Sequence, residues 1–566
     1  MTRLTNDPAD FPAEALKGFI AANKRYVKPV YGGVARSTFT PAGKVAVVYG
    51  GGSGHYPAFA GWVGHGFADG AVCGNIFSSP SAAQAYSVLK AVHRGAGVLM
   101  GFGNYAGDVL HFGQAIERLR AEGIEADTLV VTDDIASGDA AEPEKRRGIA
   151  GDFPVFKITS AAAEAGLGFD EVRRVFARAN AATRSFGVAF AGCTLPGAKG
   201  PLFTVPAGRM GIGLGIHGEP GVAEADLGSA DDVARTLVEG LLADRPAGAG
   251  NRVVAIVNGL GSSKYEELFV VTSCVVARLE AAGLECADVE AGEFVTSLDM
   301  AGVSLTLVWV DDELLGYWDA PCDAPAYRKG SVGSVERDDA ALSQAAAPVE
   351  VTTPGSTASR EAAEVAAGLL DDVAEMLAQA QEELGALDSV AGDGDHGIGM
   401  ANGSRAAAGA ARAAVSAGGG LRTTLTAAGD AWSNRAGGTS GALWGALLTA
   451  LGSALGDEKT PGSDDLAVAL QAALSAVQRL GGAEVGDKTL VDALSPFVAA
   501  FVATNGDLAA KSAAAVVAAE AGTESTRALV ARLGRARPLG EKSVGTPDPG
   551  AVSLTKVVTL LNSRLG

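Results

Sequence analysis

The stretch SVGSVERDDAALSQAAAPVEVTTPGST, residues 331–357, divides the chain into two parts of different composition. It is polar, contains Pro, Ser and Thr, and has no sustained apolar period, which is typical of a linker. In residues 1–330, short β-rich runs such as Val98 to Gly101 alternate with helical ones and end in glycine or aspartate turns, the pattern of an α/β domain. In residues 358–566, strand signals almost vanish and alanine-rich helical stretches recur, which predicts an all-α domain.

The composition argues against several classes of protein. A net charge of −20 and a pI near 4.8 disfavour a nucleic-acid groove or an anionic membrane surface. The five cysteines are widely spaced and form no CxxC pair, so we expect a reducing cytoplasm and neither a zinc site nor a disulfide framework. Residues 436–456 carry no charge, but their Gly, Ser and Thr content predicts a buried helix behind a glycine turn rather than a membrane span.

Three carboxylates gather around glycines in the stretch DSVAGDGDHG, residues 388–397. Asp388, Asp393 and Asp395 follow a long helical pattern and offer only oxygen ligands. Such ligands suit a hard divalent cation, and Mg²⁺ normally reaches proteins together with substrate phosphates. The spacing does not match an EF-hand, and a solvated acidic turn is the remaining alternative.

Glycine loops elsewhere in the helical part add chemistry for binding phosphates. GGTSG, residues 437–441, precedes an apolar helix, and a helix N-terminus with bare amides favours an anion. GDKTL at 486–490, Gly534-Arg535 and Asp548-Pro549-Gly550 place charged groups beside glycines. No GxxxxGK[ST] sequence occurs, and neither HRD nor DFG is present, which excludes a P-loop enzyme and a protein kinase. These features predict a Mg-nucleotide site on a helical barrel.

In the α/β part, polar residues follow predicted strands at glycine-rich corners. GGGSGH at 50–55 and NYAGD at 104–108 each come after a strand, and GLGIHGEPG at 213–221 holds a histidine among glycines. Ligands collect outside the carboxyl ends of strands in open α/β sheets. His55, His217 and Asp108 are therefore candidate functional residues.

Both parts resemble the ATP-dependent dihydroxyacetone kinase family, and the match runs in order over nearly the whole chain. The blocks that carry the resemblance are GGGSGH, AVCGNIFSSPS, NYAGD, RRGIAG, GIGLGIHGEPG, TSLDMAG, LDSVAGDGDHG, GGTSG, GDKTL, GRARPLGEKS and DPGA. The resemblance implies an α/β ketose-binding domain of mixed sheets with flanking helices. It also implies an all-α nucleotide domain built as a barrel of eight antiparallel helices.

The resemblance also implies a role for each matching residue. His217 would form a covalent hemiaminal with the substrate carbonyl, His55 would bond the substrate and assist proton transfer, and Asp108 would be the general base. The three carboxylates of 388–395 would hold two Mg²⁺ ions that bridge the phosphates of ATP. Gly52, Ser53, Gly54 and Gly103 match further substrate positions. The positions that match nucleotide contacts are His396, Gly397, Ile398, Gly399, Thr439, Ser440, Gly481, Leu490, Arg535, Asp548, Pro549 and Gly550. A homodimer is implied too, in which the nucleotide domain can face the ketose site of the partner chain.

The chain departs from the family pattern where the substrate would lie. Dihydroxyacetone kinases usually carry a lysine at the position of Gly103, and its absence deletes a cationic donor and is expected to free space. We therefore predict a four-carbon ketose, erythrulose, with dihydroxyacetone as the alternative. A non-catalytic, ketose-sensing co-regulator on the same fold is the non-enzyme alternative. A fatty-acid-type kinase is disfavoured because it would share only the helical domain, and the sequence neither confirms nor excludes the FAD cyclisation that some family members perform.

Overall fold

A computed structural model describes residues 4–219, 221–345, 354–392, 394–534 and 536–564. The chain divides at residue 346 into two compact units. The first is a mixed α/β unit and the second is all-helical, so the predicted fold class is confirmed.

The first sheet of the α/β unit has the strand order β1-β2-β4-β3-β5-β6. Strands β3 to β6 pair in parallel, while β1 and β2 add an antiparallel edge. Val47 and Tyr49 face one core and Ala46 and Val48 another, because a parallel sheet is covered on both faces. The strands are β1 Val27–Val30, β2 Gly33–Arg36, β3 Ala46–Ser53, β4 Gly70–Ile76, β5 Val98–Gly103 and β6 Ala126–Val131. The helices of this half are α1 Phe11–Ala22, α2 Ala82–Val92, α3 Ala106–Ala121, α4 Asp152–Glu164 and α5 Phe169–Ala181.

The second sheet has the order β11-β10-β12-β7-β8-β9, and only β10 and β11 pair in parallel. Helices α4 and α5 share a core with both sheets, so they form a layer between them. The remaining elements of the unit are β7 Thr183–Ala191, β8 Arg209–Ile212, β9 Ala223–Asp226, α6 Ala230–Ala243, β10 Arg252–Gly259, α7 Tyr265–Ala281, β11 Glu285–Gly292, β12 Ala301–Trp309, α8 Asp312–Asp319, β13 Cys322–Asp323 and β14 Arg328–Lys329.

The helical unit is a closed ring of eight helices within the described residues. Each helix packs on the next in the order α9, α11, α12, α13, α14, α15, α16 and α17, and α17 returns to α9. The short α10 continues α9. Helices α12 and α13 approach each other closely because small residues lie between them. A Cβ at Gly429 of α12 would lie 2.7 Å from the carbonyl oxygen of Gly445 of α13. The helices are α9 Thr357–Gln379, α10 Gln381–Asp388, α11 His396–Ser416, α12 Leu421–Ala436, α13 Gly438–Leu455, α14 Ser463–Gly481, α15 Val491–Ala503, α16 Leu508–Ser525 and α17 Pro549–Ser563.

The predicted linker differs from the structure in its first half. The amide of Phe39 donates to the carbonyl oxygen of Glu336 at 2.7 Å, and Lys28 pairs with Asp338 at 3.0 Å. Residues 336–343 thus pack along the α/β unit, which extends beyond residue 330. Residues 346–353 of the predicted linker lie outside the described residues.

Within the uncharged stretch 436–456, residues Gly438–Leu455 form α13, so the predicted helix behind a glycine turn is confirmed. Over the described part of the chain, no helix combines the length and apolarity needed to cross a membrane.

Candidate active site

The first candidate site lies where strands β3 and β5 end. The two strands are parallel neighbours, so their carboxyl ends reach the same edge of the sheet. β3 ends at Ser53 and is followed by Gly54 and His55, while β5 ends at Gly103. Asp108 lies in the first turn of α3 just beyond, and its side chain is buried. The structure therefore gathers the predicted substrate residues of the first sheet at one edge.

The second sheet supplies the partner of His55. His217, from the loop after β8, places its Nε2 atom 3.0 Å from Nε2 of His55. The Nδ1 atom of His55 donates to the carbonyl oxygen of Thr296, which follows β11, at 2.8 Å. Both imidazoles are buried. These two residues, the histidine pair, are thus held together by loops from both sheets.

Aromatic rings form the walls around the histidine pair. Phe77 stacks on His55 with ring centroids 5.0 Å apart, and Tyr105 meets His217 edge-on at 4.5 Å. Phe77 has a φ of 53°, a left-handed conformation that is unusual for a bulky residue and that concentrates at functional sites. A Cβ at Gly52 would lie 2.6 Å from the amide nitrogen of residue 78, so only glycine allows this approach. Sequence reasoning assigned no role to either aromatic residue, although both lie in the matched blocks.

The expected free space at Gly103 is not found at its Cβ position. A Cβ there would lie 3.0 Å from the carbonyl oxygen of Gly148, and a Cβ on Gly148 would lie 2.4 Å from the Cα atom of Gly103. The two backbones touch because neither residue has a side chain. The absence of a side chain at Gly103 therefore allows the backbone of Gly148 to approach. The prediction that Gly103 frees space for a longer substrate is wrong at its Cβ position.

Two buried carboxyl groups, those of Asp133 and Asp152, accompany Asp108 in this part of the α/β unit. Asp133 accepts hydrogen bonds from the amides of Ile149 and Gly151, at 2.9 and 2.7 Å, but burial still raises its pKa to about 6. Burial, reinforced by Asp133 and Asp108, raises the pKa of Asp152 well above its ordinary value. Asp152 is thus a carboxyl group whose ionisation is disfavoured both by its burial and by the neighbouring charges of Asp133 and Asp108.

The second candidate site lies in the helical unit, where three helices begin. The Nδ1 atom of His396, at the start of α11, lies 3.2 Å from Oγ of Ser440 in the first turn of α13. Its Nε2 atom lies 3.0 Å from Oγ of Ser553 in α17. The buried ring thus ties three positive helix ends together, and helix N-termini attract phosphate.

Carboxylates stand beside these helix ends. The amide of His396 donates to Asp388 at 3.3 Å, and Asp548 caps α17 by accepting the amide of Ala551 at 2.7 Å. Burial, then the charge of Asp388, raises the pKa of Asp395. Burial likewise raises the pKa of Asp548 to about 7. Desolvated carboxylates that repel one another fit a hard divalent cation such as Mg²⁺.

Asp393 and Arg535 lie outside the described residues. Among the residues that are described, no group of three acidic, histidine or cysteine side chains is already arranged as a metal cluster. Six of the other predicted nucleotide positions lie at the same helix ends. Gly397, Ile398 and Gly399 form the first turn of α11, Thr439 lies in that of α13, and Pro549 and Gly550 open α17. Leu490 precedes α15 beside Gly550, while Gly481 ends α14 beside Leu443 of α13.

Lys488 organises the loop that precedes α17. Its buried ammonium lies at 2.7–3.2 Å from four backbone carbonyl oxygens, those of Thr526, Leu529, Ser543 and Thr546. One cation thus gathers carbonyl groups from the two ends of the 526–546 segment. Sequence reasoning noted the charge of GDKTL but not this role, because the bonded carbonyls are far along the chain.

Family models match both units. A Dak1 domain covers residues 17–326 and a DAK2 domain covers residues 390–563. A D-erythrulose kinase of Mycolicibacterium smegmatis is 55% identical over 98% of this chain and 97% of its own length. The chain belongs to the dihydroxyacetone kinase family. The resemblance drawn from the sequence motifs is confirmed.

Other members of the dihydroxyacetone kinase family match over the full length. An L-erythrulose 1-kinase of M. smegmatis is 54% identical, with complete coverage of both chains. An L-erythrulose kinase of Pectobacterium atrosepticum is 50% identical over all of this chain and 97% of its own. The crystal structure of the dihydroxyacetone kinase from C. freundii with AMP-PNP and Mg²⁺ is 29% identical, with a TM-score of 0.54 over 100% of this chain and 99% of that one.

Within this family member, the substitution Lys488→Met is expected to weaken both stability and ATP binding. It leaves four carbonyls without their cation and should cost about 3 kcal/mol in the free energy of unfolding, since hydrogen bonds to charged groups are strong and costly to leave unmade. Denaturant unfolding and the KM for ATP measure the two effects. Lys459→Met, which removes an exposed lysine paired with Asp465, is the control. Unchanged stability and KM would contradict the role of Lys488.

Proposed function

We propose that this chain is an ATP-dependent kinase that phosphorylates a terminal hydroxyl of erythrulose while His217 holds the ketose as a hemiaminal. The observation that carries the proposal is the histidine pair, buried between aromatic walls at the strand edge that also holds Asp108. Full-length relatives at 50–55% identity that act on D- or L-erythrulose support the four-carbon substrate. The relatives differ in enantiomer, so the proposal covers both.

In the proposed reaction, His217 binds the ketose and Asp108 accepts a proton. His217 adds to a carbonyl carbon, which anchors the sugar and rejects alcohols that lack a carbonyl. Asp108 accepts the proton of the terminal hydroxyl as its oxygen attacks the γ-phosphorus of ATP. The products are erythrulose phosphate and ADP.

In the helical unit, the three helix ends tied by His396 would cradle the phosphates of ATP. Asp388 and Asp395, together with Asp393, would hold two Mg²⁺ ions, which neutralise phosphate charge during transfer. The C. freundii structure with AMP-PNP and Mg²⁺ supports this cofactor pair. We also propose a homodimer, on the basis of the family resemblance.

Dihydroxyacetone is the second candidate substrate. The C. freundii neighbour is a dihydroxyacetone kinase, and Gly103 does not open space for a fourth carbon at its Cβ position. The choice between the two ketoses therefore rests on the relatives more than on the size of the site.

Initial rates with Mg-ATP and a panel of substrates test the proposal. We expect kcat/KM for one enantiomer of erythrulose to exceed that for dihydroxyacetone by about tenfold or more, the usual value of one or two extra contacts. Glycerol should not react, because it has no carbonyl group. Preference for dihydroxyacetone would overturn the four-carbon assignment. Absence of ATP turnover with every short ketose would favour a ketose-sensing co-regulator instead.

A further inference from the structure

Glu219 contacts His217 twice and is itself buried. Its Oε2 atom accepts the backbone amide of His217 at 3.0 Å, and its Oε1 atom lies 3.3 Å from Nδ1 of the same residue. The two oxygens of one carboxylate therefore face both the backbone and the ring of the proposed nucleophile. Neither the family resemblance nor the sequence motifs assigned a role to this side chain.

The hydrogen-bond partners fix where the protons of the histidine pair lie. Nδ1 of His55 faces a carbonyl oxygen, so it carries a hydrogen. Nδ1 of His217 faces a carboxylate, so it carries one too. The contact of 3.0 Å between the two Nε2 atoms then needs a third hydrogen, because two lone pairs would repel. With the hydrogens placed in this way, the two rings together carry one positive charge, and the carboxylate of Glu219 lies beside it.

The guanidinium of Arg147 lies beside the carboxylate of Glu219. Its Nη1 atom lies 3.8 Å from Oε1 of Glu219, and its Nη2 atom lies 2.8 Å from Oδ2 of Asp134. A guanidinium between two buried carboxylates favours their charged forms. Arg147 belongs to the loop that packs against Gly103 through Gly148.

We propose that Glu219 is a positioning residue that holds His217 in the Nδ1–H tautomer, so that its Nε2 atom carries the lone pair that attacks the ketose. The proposal rests on the function proposed above. A carboxylate that orients an imidazole and stabilises its cation is the arrangement by which serine proteases prepare their histidine. Here the oriented histidine would itself be the nucleophile.

The addition step balances in charge and protons. Nε2 of His217 attacks the carbonyl carbon, a C–N bond forms and the π bond of the carbonyl breaks. The carbonyl oxygen takes the proton from Nε2 of His55. The product is a neutral carbinol and an imidazolium at His217, whose Nδ1–H still faces the carboxylate of Glu219. The two rings carry one positive charge before and after the step, and Glu219 compensates it throughout.

Glu219→Gln separates the tautomer role from the space-filling role. A glutamine has one oxygen, which must accept the backbone amide of His217, so its NH₂ group would face Nδ1. The ring would then carry its hydrogen on Nε2, and the nucleophilic lone pair would be lost. In a serine protease, the analogous Asp→Asn change lowers kcat on the order of 10⁴-fold through the wrong tautomer.

We expect Glu219→Gln to lower kcat/KM for erythrulose on the order of 10³-fold or more, with unchanged Tm and Mg-ATP affinity. Nitrogen-15 spectra of the histidine rings should show that His217 changes from the Nδ1–H to the Nε2–H form. Glu219→Asp retains the carboxylate and should recover part of the activity. Glu313→Gln, a surface residue paired with Arg174 in the same unit, is the control.

These measurements distinguish a failure of the role proposed for Glu219 from a failure of the proposed kinase function. If the wild-type enzyme forms the ketose adduct and Glu219→Gln forms it equally well with the same tautomer, the role of Glu219 is overturned while the kinase assignment stands. If the wild-type enzyme forms no adduct, the proposed function itself fails. A loss of activity without any change of tautomer would also reject the proposal, because a structural defect alone could produce it.

Discussion

Replacing His217 by alanine is expected to abolish the covalent ketose adduct and to lower kcat/KM for erythrulose on the order of 10²-fold or more, since the substrate loses the bond that positions it. Mg-ATP affinity should not change, because the nucleotide residues belong to the helical unit. The variant creates a small cavity between Phe77 and Tyr105, so a modest fall in Tm is expected as well.

Carbon-13 NMR with erythrulose labelled at the ketone carbon measures the adduct directly. In the wild-type enzyme the label should change from a carbonyl to a tetrahedral carbon, and in the alanine variant it should remain a carbonyl. His93→Ala, in the same unit but at the end of α2, is the matched control and should behave as the wild type. An adduct that survives in the His217 variant would contradict the assigned role.

Asp395→Asn is expected to abolish phosphoryl transfer and, at the same time, to stabilise the metal-free protein. Burial and the charge of Asp388 raise the pKa of Asp395. A carboxyl whose pKa is raised on folding favours the folded state at low pH and loses that contribution as the pH rises. Without a cation, folding at neutral pH therefore requires Asp395 either to take up a proton or to bury its charge, and a neutral amide of the same shape removes this cost. Tm in EDTA should rise by about 2–4 °C, the effect of about 1 kcal/mol in a domain of this size.

Thermal unfolding with EDTA and with Mg-ATP separates the two effects. The wild-type enzyme should gain Tm on addition of Mg-ATP, whereas the Asn variant should not, because ligand binding to the folded state stabilises it by mass action. Asp464→Asn changes an almost fully exposed carboxylate in the same unit and should leave both values unchanged. A variant that is still stabilised by Mg-ATP, or is less stable in EDTA, would argue against the metal-site assignment.

The division into an α/β part and a helical part could be predicted because composition and apolar period change along the chain. The glycine-rich corners also pointed to the candidate sites, since a strand or helix end that carries glycine, histidine and aspartate has few structural explanations. The position of residues 336–343 could not be predicted. Their docking depends on backbone contacts with Phe39 and an ion pair with Lys28, and such contacts leave no periodic pattern.

The candidate site contains features that no local pattern encodes. Thr296 fixes the tautomer of His55 from a distant loop, and Glu219 and Arg147 meet only after the two sheets have packed. The contact between Gly103 and Gly148 is another example, because the backbone of Gly148 occupies the volume that a side chain at residue 103 would take. Each of these contacts joins residues that are far apart in sequence.

The central claim is that erythrulose is phosphorylated while bound covalently to His217. The most direct test incubates the enzyme, labelled with nitrogen-15 at histidine, with erythrulose labelled with carbon-13 at the ketone, and then adds Mg-ATP. We expect a tetrahedral carbon coupled to a histidine nitrogen before ATP is added, followed by release of labelled erythrulose phosphate. A label that remains a free ketone throughout, with or without turnover of ATP, would contradict the claim.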